Sequence, residues 1–503
     1  MKNYEIEATW QYHDGTKHPN GSFLNKTHTY HPANRPIPYK TYKSAAQIKL
    51  LLDEQSSAIS SLDAISTNTK SEYANVIPDI NMLSSILFFS GGITKTLKFP
   101  ALDEIEFRAA SCTGALYHIE IYVVCSDIPG LAAGVYHFNP QNLSLIVLRK
   151  GDYRKILANA TAGEPFTATA PIMLIFTDVF SRNAVKYQAR EYRHAFWDCG
   201  TILSNSLAIS NTKRVPCKII LGFVDSDVNS LLDLDVKKEA SLAILSLGHS
   251  DQELSISPQL TDIATAEPTE YDADLSAINS IHESSSLTDQ QEVLSWRRPI
   301  VQETHQESAR SNKSVENAFV KDSLETVILR RGSTRRFSHD SISFSQLSTI
   351  LNRSANGIIS DFEKEKSIND IYLIVNAVDG LEQGAYFYNK EHRSFEILQK
   401  GKFRDVSGHL GLDQSLPYDA SVTIFFMTDL QKILEHFGNR GYRVAQLDAS
   451  IMGGRMYLAS YALHIGATGL TFYDDEVTEF FSPHASKKSV MFMIALGKKA
   501  KKN

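Results

Sequence analysis

The chain has 503 residues, of which 43% are hydrophobic and 21% are charged, enough for roughly two to four globular domains with buried cores. Its net charge of −6 argues against a basic nucleic-acid surface. The sequence has no CxxC pair, no signal-peptide pattern and no apolar run of about 18 residues. We therefore expect no metal site, no disulfide framework and no membrane span, and we expect a cytoplasmic protein.

In chain order, short segments rich in β-branched and aromatic residues predict strands, and two longer apolar segments predict buried helices. The predicted strands are 118–125, 171–179, 242–248, 370–378, 422–430 and 490–497, and the predicted helices are 196–210 and 444–464. Several strands are apolar on both faces, as a covered sheet requires. Both halves of the chain show the same order of helices and strands, which indicates an α+β fold.

The two halves are related by an internal repeat at an offset of about 250 residues. The matching segments are MLSSIL (82–87) with QLSTIL (346–351), GVYHFN (134–139) with GAYFYN (384–389), REYRHAFWD (190–198) with RGYRVAQLD (440–448), and FVDSDV (223–228) with FYDDEV (472–477). This period is too long for a solenoid. We predict tandem domains over 61–248 and 322–503, preceded by an N-terminal extension over 1–60.

The segment between the two domains, 249–321, has the composition of a linker. Residues 249–295 include ten acidic residues and no Lys or Arg, and they are rich in Ser, Thr and Gln. Such a segment buries little apolar surface and repels itself. We expect an exposed and partly helical tether.

Two segments of the first domain carry residues suited to chemistry. Residues 108–117 (RAASCTGALY) place small side chains directly before a strand, where backbone can approach a flat ligand; an ordinary tight loop is the alternative. Further on, Lys186 and Tyr187 are expected to share a helix face with Arg190 and Arg193. Neighbouring cations lower the pKa of a lysine and favour a neutral amine base, although a plain surface lysine fits as well.

Two segments of the second domain complete the set. Residues 331–337 (RGSTRRF) flank the hydroxyl of Ser333 with the guanidinium groups of Arg331 and Arg335, a combination that suits a phosphate. A solvated basic patch is the alternative for this motif. Residues 466–472 (GATGLTF) form a glycine-rich segment whose amides could face a ligand, a weaker indication when taken alone.

In this order and spacing, the motifs resemble the nitroreductase superfamily and, within it, the SagB-type branch, which includes FMN-dependent dehydrogenases that oxidise azolines to azoles in ribosomal peptides. An opening motif at 12–18 (YHDGTKH) adds to the resemblance. It implies two α/β sandwich domains that form an intramolecular pseudo-dimer and bind FMN. The implied FMN contacts are Arg108, Ser111, Thr113, Gly114, Arg331, Ser333, Arg335, Gly469, Leu470 and Thr471, and the implied catalytic pair is Lys186 and Tyr187.

The sequence departs from this family at two places. Ala110 stands where the family usually has proline, which is expected to loosen the loop. In the second copy, His436 and Phe437 replace the Lys-Tyr pair, so this copy is expected to lack the base.

Each copy has also lost the half-site that the other has kept. Residues 331–337 form the arginine motif, and their first-copy counterpart, 66–73, contains no arginine. Residues 108–117 form the small-residue loop, and their second-copy counterpart, 358–367, is bulky and charged. Because flavins in this family lie across the interface between two subunits, the resemblance implies one complete FMN site per chain. The opposite interface is expected to bind none.

The expected activity is dehydrogenation of an azoline-like heterocycle or a C–N bond in a peptide-derived substrate, in which Lys186 or Tyr187 removes a proton while the flavin accepts a hydride. The expected partners are a small-molecule or peptide substrate and other peptide-modifying enzymes; further oligomerisation is open. Two alternatives remain: an NAD(P)H-dependent nitro or quinone reductase, and a flavin-free pseudoenzyme that serves as a scaffold in a peptide-modifying complex.

Overall fold

A computed structural model shows two units that are each built around one antiparallel sheet. It describes residues 2–19, 30, 35–43, 45–52, 57–66, 75–99, 102–263, 271–297, 320–362 and 367–501. In spatial order, sheet one contains β1 (Gln47–Lys49), β6 (Ser144–Lys150), β5 (Gly134–Asn139), β4 (Ile119–Cys125), β7 (Ile172–Val179), β9 (Glu239–Leu247) and β8 (Cys217–Ile220). Sheet two contains β14 (Ser394–Lys400), β13 (Gly384–Asn389), β11 (Asp370–Val375), β15 (Val422–Thr428), β17 (Ser489–Gly497) and β16 (Gly466–Leu470).

The six strands that follow β1 in sheet one have counterparts in the same spatial order in sheet two, which confirms the tandem duplication. All six predicted strands are present. Four further strands of the described chain lie outside the two sheets: β2 (Ile93–Phe99) pairs with β3 (Leu102–Arg108), and β10 (Ile342–Ser343) pairs with β12 (Val378–Asp379). Residues 67–73, the counterpart of most of the arginine motif, lie outside the described residues, as do 363–366.

Helices cover the sheets and join the two units. They are α1 (Glu7–Gly15), α2 (Ser61–Ser66), α3 (Ile80–Gly91), α4 (Arg154–Ala160), α5 (Pro165–Thr169), α6 (Phe180–Tyr187), α7 (Glu191–Thr212), α8 (Asp225–Leu231), α9 (Ser276–Ser284), α10 (Gln290–Trp296), α11 (Leu324–Arg330), α12 (Phe344–Ser354), α13 (Arg404–Leu410), α14 (Ser415–Asp419), α15 (Leu430–Phe437), α16 (Arg440–Ala462) and α17 (Asp474–Phe480). No helix within the described ranges has the length and hydrophobicity needed to cross a bilayer.

The two predicted buried helices, α7 and α16, pack along each other at the centre of the molecule. Glycine of one helix faces serine of the other at two places. A methyl group at Gly200 would lie 1.8 Å from Ser450 Oγ, and one at Gly454 would lie 2.6 Å from Ser204 Cβ. Gly200 corresponds to Ser450 in the repeat, and Ser204 to Gly454, so the two copies have diverged in a complementary way.

Two equivalent ion-pair clusters also connect the copies, each with a carboxylate from one copy and two arginines from the other. The contacts are Arg190 Nη1 to Asp474 Oδ2 at 3.0 Å, Arg193 Nη1 to Asp474 Oδ1 at 2.6 Å, Arg440 Nη1 to Asp225 Oδ2 at 2.7 Å, and Arg443 Nη1 to Asp225 Oδ1 at 2.8 Å. All six side chains are buried. Exchange of equivalent contacts in both directions is the mark of a two-fold interface, here an intramolecular pseudo-dimer.

In the described part of the linker, 249–263 and 271–297, the expected partial helicity is present, but the helices are not exposed. Its helices α9 and α10 bury Ile278, Ile281, Val293 and Trp296. The charge of the segment was misleading because Asp272, Asp274, Glu283 and Asp289 are exposed while apolar residues recur at helical spacing on the buried face.

Helix α9 also repeats α1. Thr16, just after α1, accepts a hydrogen bond from Arg193 Nε at 3.1 Å, and Ser285, just after α9, accepts one from Arg443 Nε at 2.9 Å. Backbone carbonyl groups of His13 and His282 bind the same two arginines. The opening motif is therefore present twice, and we propose that the second copy begins at α9 rather than at residue 322.

Candidate functional site

The small-residue loop connects β3 to β4 in an unusual backbone conformation. Gly114, Ala115 and Tyr117 have positive φ angles of 62°, 54° and 49°. Such angles are strained for residues other than glycine and persist only where the surroundings hold them. Tyr117 contributes to this support, because its hydroxyl accepts a hydrogen bond from the amide of Arg108 at 3.1 Å.

Asp198 of α7 binds the small-residue loop through its carboxylate. Its carboxylate accepts hydrogen bonds from the Thr113 amide at 2.8 Å, from Thr113 Oγ1 at 2.9 Å and from Cys112 Sγ at 3.1 Å. Thr113, which the family resemblance assigned to the cofactor, thus directs its donors into the protein. The side chain of Ser111 is half-buried, and its carbonyl accepts a hydrogen bond from Thr201.

A buried histidine extends this support into the core. His118 Nε2 lies 2.8 Å from Asp198, and His118 Nδ1 lies 2.7 Å from Asp178 and 3.3 Å from Glu191. Burial opposes protonation of His118, but Asp178 and the hydrogen bonds to both aspartates raise its pKa well above the ordinary value. We interpret the group as an imidazolium held between carboxylates.

The side chains around His118 also have the spacing of metal ligands, although no metal site was expected from the sequence. Ligand atoms of Cys112, His118 and Asp198, and of His118, Asp178 and Glu191, lie within 4.8 Å of one another. Both nitrogens of His118 are already within hydrogen-bond distance of carboxylates. Burial and the nearby Asp178 raise the pKa of Glu191 well above its ordinary value, so Glu191 is suited to hold a proton in this cluster.

Lys186 and Tyr187 lie at the end of α6 and reach the small-residue loop. A methyl group at Gly114 would lie 2.9 Å from Tyr187 Oη and 3.3 Å from Lys186 Nζ. Lys186 Nζ lies 5.0 Å from the centre of the Tyr187 ring. Burial, together with Asp198 and Cys112, raises the pKa of Tyr187, whereas Arg335 from the second copy opposes the shift.

The expectation that this pair shares a helix face with Arg190 and Arg193 is wrong. Helix α6 ends at Tyr187 because Gln188 adopts a φ of 50°, and a new helix, α7, begins at Glu191. The two arginines point to Asp474 instead. The sequence spacing suggested one continuous helix because no glycine or proline marks the break.

Part of the N-terminal extension covers the loop, which the sequence did not reveal. Arg35 Nη2 donates a hydrogen bond to the carbonyl of Ala115 at 2.6 Å. The Tyr30 ring centre lies 5.5 Å from Lys186 Nζ. The extension therefore contributes to the mouth of the site beside the Lys-Tyr pair.

The arginine motif of the second copy meets the small-residue loop of the first. Arg331 follows α11 directly, and its Nε and Nη2 donate to the carbonyl groups of Ala109 at 2.7 Å and Arg108 at 3.0 Å. Within the described chain, no carboxylate forms an ion pair with Arg331 or with the exposed Arg335. The Arg108 guanidinium lies 4.8 Å from the centre of the Tyr117 ring and donates to the carbonyl of Pro38.

Two tyrosines of α16 shape this motif and were missed in the sequence. Tyr457 Oη lies 3.4 Å from Ser333 Oγ and accepts a hydrogen bond from the amide of Gly469. Tyr461 Oη binds the carbonyl of Gly332 and lies 3.4 Å from Thr334 Oγ1. Their spacing of four residues places them on one helix face. The first copy has Leu207 and Asn211 at these positions, a difference that was readable from the repeat.

The glycine-rich segment is a strand rather than a loop, because Gly466–Leu470 forms β16 and pairs with β17. The residue that follows, Thr471, has a buried hydroxyl that no donor or acceptor reaches within the described part of the chain. A buried polar atom without a partner is costly, so this hydroxyl is available to a ligand group or to a water molecule. It lies next to Phe472, whose ring faces Arg190 of the first copy at 5.3 Å.

Sequence comparisons relate part of the chain to a known family. Residues 328–498 match the nitroreductase family. The nitroreductase-like protein MJ1384 of Methanocaldococcus jannaschii is 28% identical over 177 residues, which are 35% of this chain and 84% of that protein. The trifolitoxin-processing protein TfxB of Rhizobium leguminosarum bv. trifolii is 28% identical over 169 residues, which are 33% of this chain and 45% of that protein, so the chain spans less than half of its length.

The whole fold has a counterpart among solved structures. The crystal structure of a nitroreductase-like protein from Anabaena variabilis matches 98% of this chain and 99% of its own, with a TM-score of 0.75 and 25% sequence identity. The match extends over both copies and confirms the predicted fold class and family resemblance. The chain therefore carries a nitroreductase-family domain over residues 328–498, within a duplicated nitroreductase fold that extends over nearly its whole length.

Proposed function

We propose that the chain is an FMN-dependent oxidoreductase that dehydrogenates an azoline-like heterocycle or a C–N bond in a peptide-derived substrate. The observation that carries the proposal is the contact of Arg331, from the second copy, with the backbone of the small-residue loop of the first. This contact joins the arginine motif, whose residue types suit a phosphate, to the small-residue loop, whose residue types suit a flat ring. Neither copy has both parts, so one FMN per chain follows.

The residues at this interface fit FMN in charge and in shape. Arg331 and Arg335 lack carboxylate partners among the described residues, and with Ser333 they would hold the phosphate. The ring would lie against the loop at Ser111 and Gly114. The segment 469–471 would line its edge, with the Thr471 hydroxyl, which has no hydrogen-bond partner among the described residues. FMN, when bound, supplies the two-electron redox chemistry.

The Lys-Tyr pair would manage the proton of the substrate. The raised pKa of Tyr187 keeps its hydroxyl protonated near neutral pH, so Tyr187 is suited to donate a hydrogen bond. Lys186 is then the proposed proton acceptor, a role that requires its amine to be neutral, and Nζ lies at the same loop. His118 and Asp198 keep the loop in place beneath the reacting groups.

A peptide-derived substrate is supported by the relative TfxB, whose name describes it as a trifolitoxin-processing protein. Other peptide-modifying enzymes are the proposed partners, and the reducing cytoplasm is the proposed location, since none of the four cysteines is paired.

The test is a visible spectrum of the purified protein, followed by incubation with an azoline-containing peptide in air. We expect a flavin spectrum and a loss of two hydrogen atoms per ring by mass spectrometry. A protein that bleaches with NADPH under anaerobic conditions but leaves the azoline intact is a reductase of another class. A colourless protein that does not quench FMN fluorescence is a scaffold, and either result refutes the proposal.

A further inference from the structure

The second interface between the copies contains counterparts of three residues of the proposed flavin site. By the alignment of the repeat, Asp361 corresponds to Ser111, Phe437 to Tyr187, and Gly222 to Thr471. These three residues come from both copies. They are therefore expected to surround one common space if the two interfaces are built alike.

In the structure that space is filled by the side chain of Trp296, the last residue of α10. The centre of the indole lies 5.1 Å from the centre of the Phe437 ring. A methyl group at Gly222 would lie 2.8 Å from the indole and 2.8 Å from a carboxylate oxygen of Asp361. Trp296 is fully buried, and its Nε1 reaches no acceptor within the described chain. Its ring is thus held by shape rather than by a hydrogen bond.

Asp361 completes the filling of this interface. Its carboxylate accepts hydrogen bonds from the amides of Leu221 at 2.8 Å and Gly222 at 2.9 Å, and Arg297 Nε donates to it at 3.0 Å. The counterparts of these amides, at 470–471, belong to the segment proposed at the edge of the flavin. A side-chain carboxylate therefore satisfies backbone donors that a ring edge would satisfy at the first interface.

We infer that Trp296 is an in-chain substitute for a flavin ring, so that the second interface takes a flat aromatic ligand only after the indole is removed. The inference rests on the proposed flavin site, because that site defines which counterparts should surround a ring. The ligand class is a ring without phosphate, since the sequence 66–73 contains no arginine. Stacking and burial of apolar surface would hold such a ring.

The experiment combines Trp296→Gly with Asp361→Ser in the full chain and uses lumiflavin as the probe. We expect the double variant to keep its FMN and to bind one further lumiflavin per chain, measured by fluorescence quenching. Wild-type protein and Trp296→Phe are expected to bind no lumiflavin beyond the FMN. A cooperatively folded double variant that binds no lumiflavin overturns the inference, and so does wild-type protein that binds it.

A second measurement covers the case in which the double variant does not fold. Free indole is expected to raise the Tm of Trp296→Gly by a few degrees while leaving the Tm of wild-type protein unchanged, because a ligand stabilises the state that binds it. An equal response of the two proteins contradicts the inference. Absence of FMN from wild-type protein refutes the proposed function instead, and the indole measurement is independent of that result.

Discussion

Lys186 and Tyr187 are placed by a helix end, and each can be tested separately from flavin binding. Because general-base help contributes about 10²–10⁴-fold to a rate, Lys186→Ala is expected to lower turnover by that factor and to leave the protein yellow. Steady-state kinetics and the absorbance spectrum of the variant measure the two effects. His436→Ala, at the equivalent position of the second copy, is the matched control and should keep wild-type turnover. Loss of flavin from Lys186→Ala would show a structural role instead.

Arg331 is expected to contribute to cofactor affinity more than its neighbours do. Hydrogen bonds to a charged group contribute about 1.5–3 kcal/mol, so Arg331→Ala should weaken FMN binding by about 10- to 100-fold. A fluorescence titration of the apoprotein with FMN measures the dissociation constant. Arg336→Ala removes the same charge from an exposed side chain of the same motif and is expected to have little effect. Equal weakening by both variants would mean that only net charge matters.

The residues that were predictable are those whose chemistry is local in the sequence. Arg331 and Gly114 could be identified because a phosphate and a flat ring require particular residue types close together. The direction of the Thr113 hydroxyl could not be predicted, because Asp198 reaches it from a helix far along the chain. The break at Gln188 leaves no mark in the first copy, but the repeat aligns Gln188 with Gly438, whose φ of 64° ends α15 in the same way, so the break could have been predicted from the second copy.

At the level of elements, the contact between α7 and α16 depends on glycine facing serine. Gly200→Ala places a methyl group 1.8 Å from Ser450 Oγ, and overpacking of this kind costs about 1–3 kcal/mol. Adding Ser450→Gly should restore part of the lost free energy of unfolding, measured by urea denaturation. Gly15→Ala, where the added group meets nothing within 4 Å, is the control. A double variant no more stable than Gly200→Ala would contradict this account of the interface.

The ion-pair clusters predict a pH dependence of stability. Burial would raise the pKa of Asp474, but Arg190 and Arg193 hold it well below the ordinary value. The folded-state pKa is thus lower than that of the unfolded chain, so the contribution is complete above about pH 4 and is lost as the pH falls further. Asp474→Asn leaves two buried arginines without their carboxylate and should cost about 3–5 kcal/mol at pH 7.

Urea denaturation of wild-type protein and Asp474→Asn at pH 7 and pH 3 tests this expectation. The difference between them should shrink at the lower pH. Asp475→Asn is the control, because Asp475 is exposed and its ion pair with Lys17 lies at the surface, and a change within about 0.5 kcal/mol is expected. A difference between wild-type protein and Asp474→Asn that does not depend on pH would show that the carboxylate charge is not what stabilises the interface.

The positions of six strands along the chain could be predicted at this level, but the role of the linker could not. Composition alone made 249–295 resemble a solvated tether, whereas the arginines of α16 require a helix such as α9 to complete their hydrogen bonds. The sequence contains the clue, since His282 and Ser285 repeat the spacing of His13 and Thr16. Two residues at a different offset from the rest of the repeat are too weak a pattern to find without the contacts.

At the scale of the whole molecule, duplication within one chain has allowed the two interfaces between the copies to differ in sequence. A homodimer would have two equal sites, because each surface would occur twice. In this chain one interface keeps the arginine motif, the small-residue loop and the Lys-Tyr pair, while the other has His436, Asp361 and a buried Trp296. The proposed single flavin site is therefore a property of the joined copies, and neither copy is expected to bind FMN tightly alone.

The ratio of FMN to protein in the purified chain tests this claim most directly, with flavin measured by absorbance and phosphorus and protein by amino-acid analysis. The account predicts a ratio near one in wild-type protein. It also predicts strong loss of flavin when either Arg331 of the second copy or Gly114 of the first is replaced, by Arg331→Ala or Gly114→Val. A ratio near two in wild-type protein would contradict it. So would loss of flavin from one of these two variants but not from the other.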